Sequence, residues 1–127
     1  MEEWWVYQLR NAQAALDAVL AIDRAYTPDE VTGLGVCSRQ GPDERDHLYI
    51  AVCSKNPPQS RIRGVDEILG RYGVPSAMSH DDLDEPRGRQ WVASGPIDII
   101  VAMLLAQHPG EFQVDWPEGT SLSYWAG

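Results

Sequence analysis

The chain opens on an alternating apolar stretch. In Trp4-Trp5-Val6-Tyr7-Gln8-Leu9, residues Trp5, Tyr7 and Leu9 fall on one side and Trp4 and Val6 on the other, and the aromatic and β-branched content suits a strand. The period then changes. From Asn11, a good N-cap residue, Ala12, Ala15, Leu16, Val19, Ile22 and Tyr26 recur at steps of three and four in an alanine-rich segment, which predicts an amphipathic helix. Pro28 disfavours helical geometry at Thr27, and Thr27-Pro28-Asp29-Glu30 has the spacing of a capping box opening one short turn before Gly33.

Two further apolar segments, Leu34 to Ser38 and Leu48 to Cys53, flank the turn-rich stretch Gln40 to Asp46 and predict a β-hairpin. A symmetric loop places Val36 near Ile50 or Val52 and facing the core with Leu48, while Cys37, Tyr49, Ala51 and Cys53 share the opposite face. Cys37 and Cys53 could then face each other across the hairpin. After Asn56-Pro57-Pro58, the spacing of Val65, Ile68, Leu69 and Tyr72 predicts a half-buried helix ended by Gly73. Residues 74–90 read as mostly irregular, with Trp91-Val92-Ala93 a short strand. Gly95 as cap and Pro96 as first helical residue predict a helix over 95–108, and its segment Ile97 to Ala106 is apolar nearly all round, the pattern of the most buried, central helix. Phe112, Val114 and Trp116, then Leu122, Tyr124 and Trp125, predict two short closing strands. The expected fold is α+β: a single domain over residues 1–127, a mostly antiparallel sheet packed by about three helices.

Composition narrows the function. A chain of 127 residues with 43% apolar content fits one self-sufficient core and argues against a multidomain enzyme. Nineteen acidic against ten basic residues give a net charge of −9, which argues against nucleic acid or an anionic membrane as direct partner and favours a basic one. The longest apolar run, Ile99 to Ala106, has eight residues against roughly 18 for a membrane span. Glu2 and Glu3 follow Met1 where a secretory signal needs positive charge, and two cysteines do not make a disulfide scaffold, so the expectation is a cytoplasmic protein with reduced thiols.

Candidate chemistry is sparse. Asp98 is an acid inside an apolar run and the sharpest single candidate for catalysis; its place at a helix start favours capping of free N–H groups instead. His80-x-Asp82 with Asp84 and Glu85 offers hard metal ligands, but without the spacing of a zinc or calcium motif. His47 and His108 read as a surface residue beside the hairpin turn and a helix C-terminal residue. Neither a nucleophile elbow nor a phosphate-binding glycine loop is present. The expectation is therefore no catalytic residue, no cofactor and no metal. The alternative is a small enzyme or ligand-binding domain whose site is assembled from dispersed residues such as His80, Asp98 and His108, or a phage or accessory adaptor.

About half the chain resembles immunity proteins that bacteria pair with polymorphic secreted toxins, in particular the small α+β family often found beside deaminase-type toxins. The resemblance lies in the strand Trp4-Val6-Tyr7-Leu9 and its following helix, in the hairpin Val36-Cys37 to Tyr49-Val52 leading into Asn56-Pro57-Pro58, and in Val92-Ala93-Ser94-Gly95-Pro96-Ile97 opening a helix through Leu105, with Pro109 before Val114-Asp115-Trp116. Val65 to Tyr72 and Ser121 to Trp125 depart from the family pattern. The resemblance implies a non-enzymatic inhibitor that binds a cognate toxin domain with a basic active-site cleft, as monomer or dimer. On charge, Asp81, Asp82, Asp84 and Glu85 are the first candidates for the contact, followed by Asp43, Glu44 and Asp46 at the hairpin turn.

Overall fold

The computed structural model describes residues 2–41, 43–74 and 89–112. Along the chain these form β1 (Glu2–Leu9), α1 (Ala12–Ala25), β2 (Gly33–Gln40), β3 (Asp46–Lys55), α2 (Gln59–Tyr72), β4 (Gly73–Val74), β5 (Arg89–Ser94) and α3 (Ile97–Gln107). The strands make one sheet in the order β4-β1-β3-β2-β5, antiparallel throughout, and the fold is α+β. Because β1 and β2 both pair with β3, they run in the same direction, and α1 is the crossover that joins them over the middle of the sheet.

Local signals set the ends of these elements. The Asn11 side chain accepts a hydrogen bond from Ala14 N at 2.8 Å and starts α1. At its other end Tyr26 N donates to the Ile22 carbonyl, and the turn that follows is closed reciprocally: Thr27 N donates to Glu30 Oε1 at 3.0 Å and Glu30 N to Thr27 Oγ1 at 3.3 Å. That turn is also tied to its neighbours. The fully buried Ser54 donates its hydroxyl to the Glu30 carbonyl at 2.6 Å, and Arg61 on α2 reaches both the same carbonyl and the Glu30 carboxylate.

The strand alternation places the core. Trp5, Leu9, Val36, Leu48, Ile50 and Val52 point to the face that the three described helices cover, meeting Leu16, Val19 and Ile22 of α1, Val65 and Leu69 of α2, and Ile100, Val101 and Leu104 of α3. Val36 stands opposite Ile50, the register that a symmetric hairpin loop implies. The opposite face carries a second cluster of Val6, Cys37, Tyr49 and Ala51.

Three expectations are corrected. The central helix is α1 rather than α3: α1 buries seven residues, four of them alanine, and contacts both other helices, whereas α3 buries Ile100, Val101 and Leu104 and leaves Ile99 42% exposed. Short alanine side chains let α1 lie close over the sheet with a helix on either side, a constraint that apolar content alone does not reveal. Secondly, α3 begins one residue late, because Pro96 keeps an extended ψ of 148° and acts as the cap, its carbonyl accepting from Ile100 N. Thirdly, the cysteines are not cross-strand partners. Cys37 pairs with Tyr49 and Cys53 with Gly33, four positions apart on β3, or about 13–14 Å at strand rise, beyond disulfide reach.

The expected irregular stretch is shorter than its bounds at both ends, since Gly73–Val74 and Arg89–Ser94 are strands. The expected strands around Val114 to Trp116 and Leu122 to Trp125 lie outside the described residues. Among the described residues no helix is long and apolar enough to cross a membrane.

Both cysteines are buried and neither is in a disulfide, and burial pushes the Cys53 thiol up. Thiol titration without reductant should find two groups that react on unfolding and neither in the folded protein within minutes. A pair that stays silent in denaturant would contradict the geometry.

Candidate functional site

The hairpin turn between β2 and β3 is the described part of the acidic surface that the sequence singles out. Asp43, Glu44 and Asp46 are all exposed. Their backbone is fixed by bonds from Gly41 N to the Arg45 carbonyl and from Glu44 N to the Gly41 carbonyl, and Glu44 occupies a left-handed φ of 65°. The Asp43 carboxylate accepts from Arg45 N at 3.2 Å and faces His47 Nε2 at 2.9 Å, while His47 Nδ1 lies 3.2 Å from Gln8 Nε2 on β1. His47 is thus a half-buried bridge between the turn and the sheet rather than a free surface residue. The first group of candidates, Asp81, Asp82, Asp84 and Glu85, lies outside the described residues.

The hydrogen bond with His47, with that from the Arg45 amide, holds the Asp43 carboxyl below the usual carboxylate range. A depressed carboxylate stabilises the fold above its unfolded-state pKa and loses that contribution as pH falls through the folded value. Asp43→Asn should therefore lower the thermal midpoint at neutral pH, and the gap from wild type should close below about pH 4. Equal gaps at both pH values would assign the loss to the turn backbone alone.

Beside this turn lies a polar pocket of about 310 Å³ at the end of the sheet, where the N-terminus of α1 (Asn11, Ala12) and Arg10 meet Asp46, His47, Ser38, His108 and Glu111. It brings together two histidines, 61 residues apart in the chain, that no motif associates. Each is held by an acid close to it in the chain: His47 by Asp43, and His108 Nδ1 by Glu111 Oε2 at 2.8 Å. A carboxylate that orients an imidazole is one half of a general-base arrangement. Here both pairs also clip their own loops, the hairpin turn and the C-cap of α3.

Asp98 sits elsewhere. It is the second residue of α3, its carboxylate accepts from Ile99 N at 3.1 Å, and so it caps as expected, one position earlier than the sequence suggested. His108 caps the opposite end of the same helix, ten residues or about 15 Å away. The dispersed set of His80, Asp98 and His108 is therefore not assembled by α3, and His80 lies outside the described residues. Among the described residues, no three His, Cys, Asp or Glu side chains stand where they could hold a metal ion.

A second opening is an apolar groove of about 350 Å³ between the C-terminal end of α1 and the start of α3. Ile22, Tyr26, Val31, Leu34 and Ile97 line it between Pro28 and Pro96, and among the described residues Asp23 is its one charged lining residue. No sequence motif marks it, because its walls combine residues 22–34 with the distant residues 95–97. On the sheet face away from the helices, Trp4 is 40% exposed; its ring leans across Cys53 to within van der Waals reach of the side-chain position at Gly33. The chain matches no family model, no curated protein and no solved structure.

Proposed function

We propose that this chain is an immunity protein: a stoichiometric inhibitor that binds a secreted bacterial toxin domain in the cytoplasm of the producing cell and blocks its active site or substrate path. The observation that carries this reading is the net charge of −9 together with the exposed, hydrogen-bonded acidic turn of Asp43, Glu44 and Asp46. A toxin that acts on nucleic acids or nucleotides needs a basic cleft, and acids held in a fixed arrangement steer such a cleft into encounter and pay little ordering entropy on contact. The resemblance of the β1–α1, hairpin and α3 segments to immunity proteins points the same way. In this reading Asp81, Asp82, Asp84 and Glu85 form the first contact and the hairpin acids the second. The chain performs no chemistry and uses no cofactor.

The test is co-expression with the toxin encoded beside it. Cells carrying both should grow, and the two chains should co-purify in equal amounts. Growth arrest regardless of this chain, with no co-purification, would overturn the reading.

A further inference from the structure

We infer that the groove between α1 and α3 seats an apolar side chain carried on a basic segment of a protein partner. The inference rests on the inhibitor reading and gives it a docking surface.

The floor is made by Ile22, Val31, Leu34 and Ile97, and two of the flanking residues, Pro28 and Pro96, have no backbone N–H to offer. Such a lining asks for burial rather than hydrogen bonding. About 350 Å³ is room for one or two large side chains, at the lower edge of small-molecule sites, which place several convergent polar groups. Here the polar side chains among the described lining residues are Asp23, Tyr26, Thr27 and Thr32, and the Thr27 hydroxyl already accepts from Glu30 N while the Thr32 hydroxyl donates to the Cys53 carbonyl. An apolar pocket that takes one anchor from a partner is the usual form of a binding hot spot.

The shape is also fixed in advance. The wall from Thr27 to Val31 is held by the reciprocal Thr27 and Glu30 bonds, by Val31 N donating to the Thr27 carbonyl, and by Ser54 and Arg61 behind it. Little ordering is needed on binding.

Charge selects the occupant. Asp23 lines the groove, the exposed Asp29 belongs to the turn forming one wall, and Asp98 belongs to the first turn of α3 forming the other. Glu30 is already matched by Arg61. An apolar lining that carries the Asp23 carboxylate favours leucine or a similar residue flanked by arginine or lysine, and disfavours an acidic or purely hydrophobic segment.

The probe is a six-residue peptide of alternating arginine and leucine, titrated to millimolar concentration into the isotope-labelled full chain and followed by amide chemical shifts. Shifts should centre on Asp23, Val31, Leu34 and Ile97, vanish when alanine replaces leucine or glutamate replaces arginine, and weaken about tenfold in Asp23→Lys. That residue is exposed, and an unchanged thermal midpoint verifies the fold. No shifts at these amides, or equal shifts with the acidic peptide, would overturn the inference. This readout needs no toxin, so a failure of co-expression protection is registered separately. Conversely, toxin binding that is indifferent to Asp23→Lys would remove the groove and leave the inhibitor reading standing.

Discussion

Trp5→Ala should destabilise the protein by about 3–5 kcal/mol, whereas Trp4→Ala, one residue away, should cost under about 1 kcal/mol. The two side chains leave β1 on opposite faces. Trp5 enters the core opposite Val52 and is packed beneath the helices, and its removal leaves a large cavity. Trp4 is 40% exposed on the face away from the helices, so its removal opens no cavity in the main core. Urea unfolding of both variants checks this directly. Equal losses would mean that the β1–β3 register is shifted by one residue, since such a slip exchanges the faces of every side chain on the strand.

Leu104→Ala is expected to cost about 2–5 kcal/mol. Leu104 is fully buried in the same cluster as Ile100 and Val101, and its carbonyl accepts the N–H of His108 that ends α3. Ile99→Ala on the same helix should be nearly neutral, because Ile99 is 42% exposed. A loss under 1 kcal/mol for Leu104→Ala would show that α3 is only loosely docked on the sheet. The pair thus measures whether α3 is a helix with one buried face rather than a core element all round.

What the sequence reveals is what its neighbours along the chain determine. The Asn11 cap, the Thr27–Glu30 capping box, the two-faced β1 and the Val36 to Ile50 register were all readable, because each depends on residues within one turn or one hairpin. The errors arise where distant segments decide. Eight consecutive apolar residues say that α3 is rich in burial potential, but α1 holds the centre because its alanines permit close approach to the sheet. The pairing of Gly73–Val74 with Gln8 and Leu9 carries no local signal in two residues.

The same distinction governs the candidate site. Asp43, Glu44 and Asp46 could be named as exposed turn acids from spacing alone, and they are exposed. That His47 would brace Asp43 against β1, or that His108 would arrive at the same pocket, depends on how the ends of β3 and α3 meet in space. The groove lined by Ile22, Val31, Leu34 and Ile97 was likewise invisible: each residue reads as ordinary core until the crossing of α1 and α3 leaves a gap between them.

In the inhibition proposed above, the acidic surface brings this chain onto a basic toxin domain, and association kinetics with that domain at two salt concentrations reads that step. Neutralising Asp81, Asp82, Asp84, Glu85, Glu44 and Asp46 to Asn or Gln, with Asp43 kept to preserve the turn, should lower the association rate about tenfold at low salt and flatten its salt dependence. Dissociation should change much less, because rim charges contribute little once apolar anchors are desolvated. Equal association rates and equal salt slopes for wild type and variant would mean that these acids do not steer the encounter.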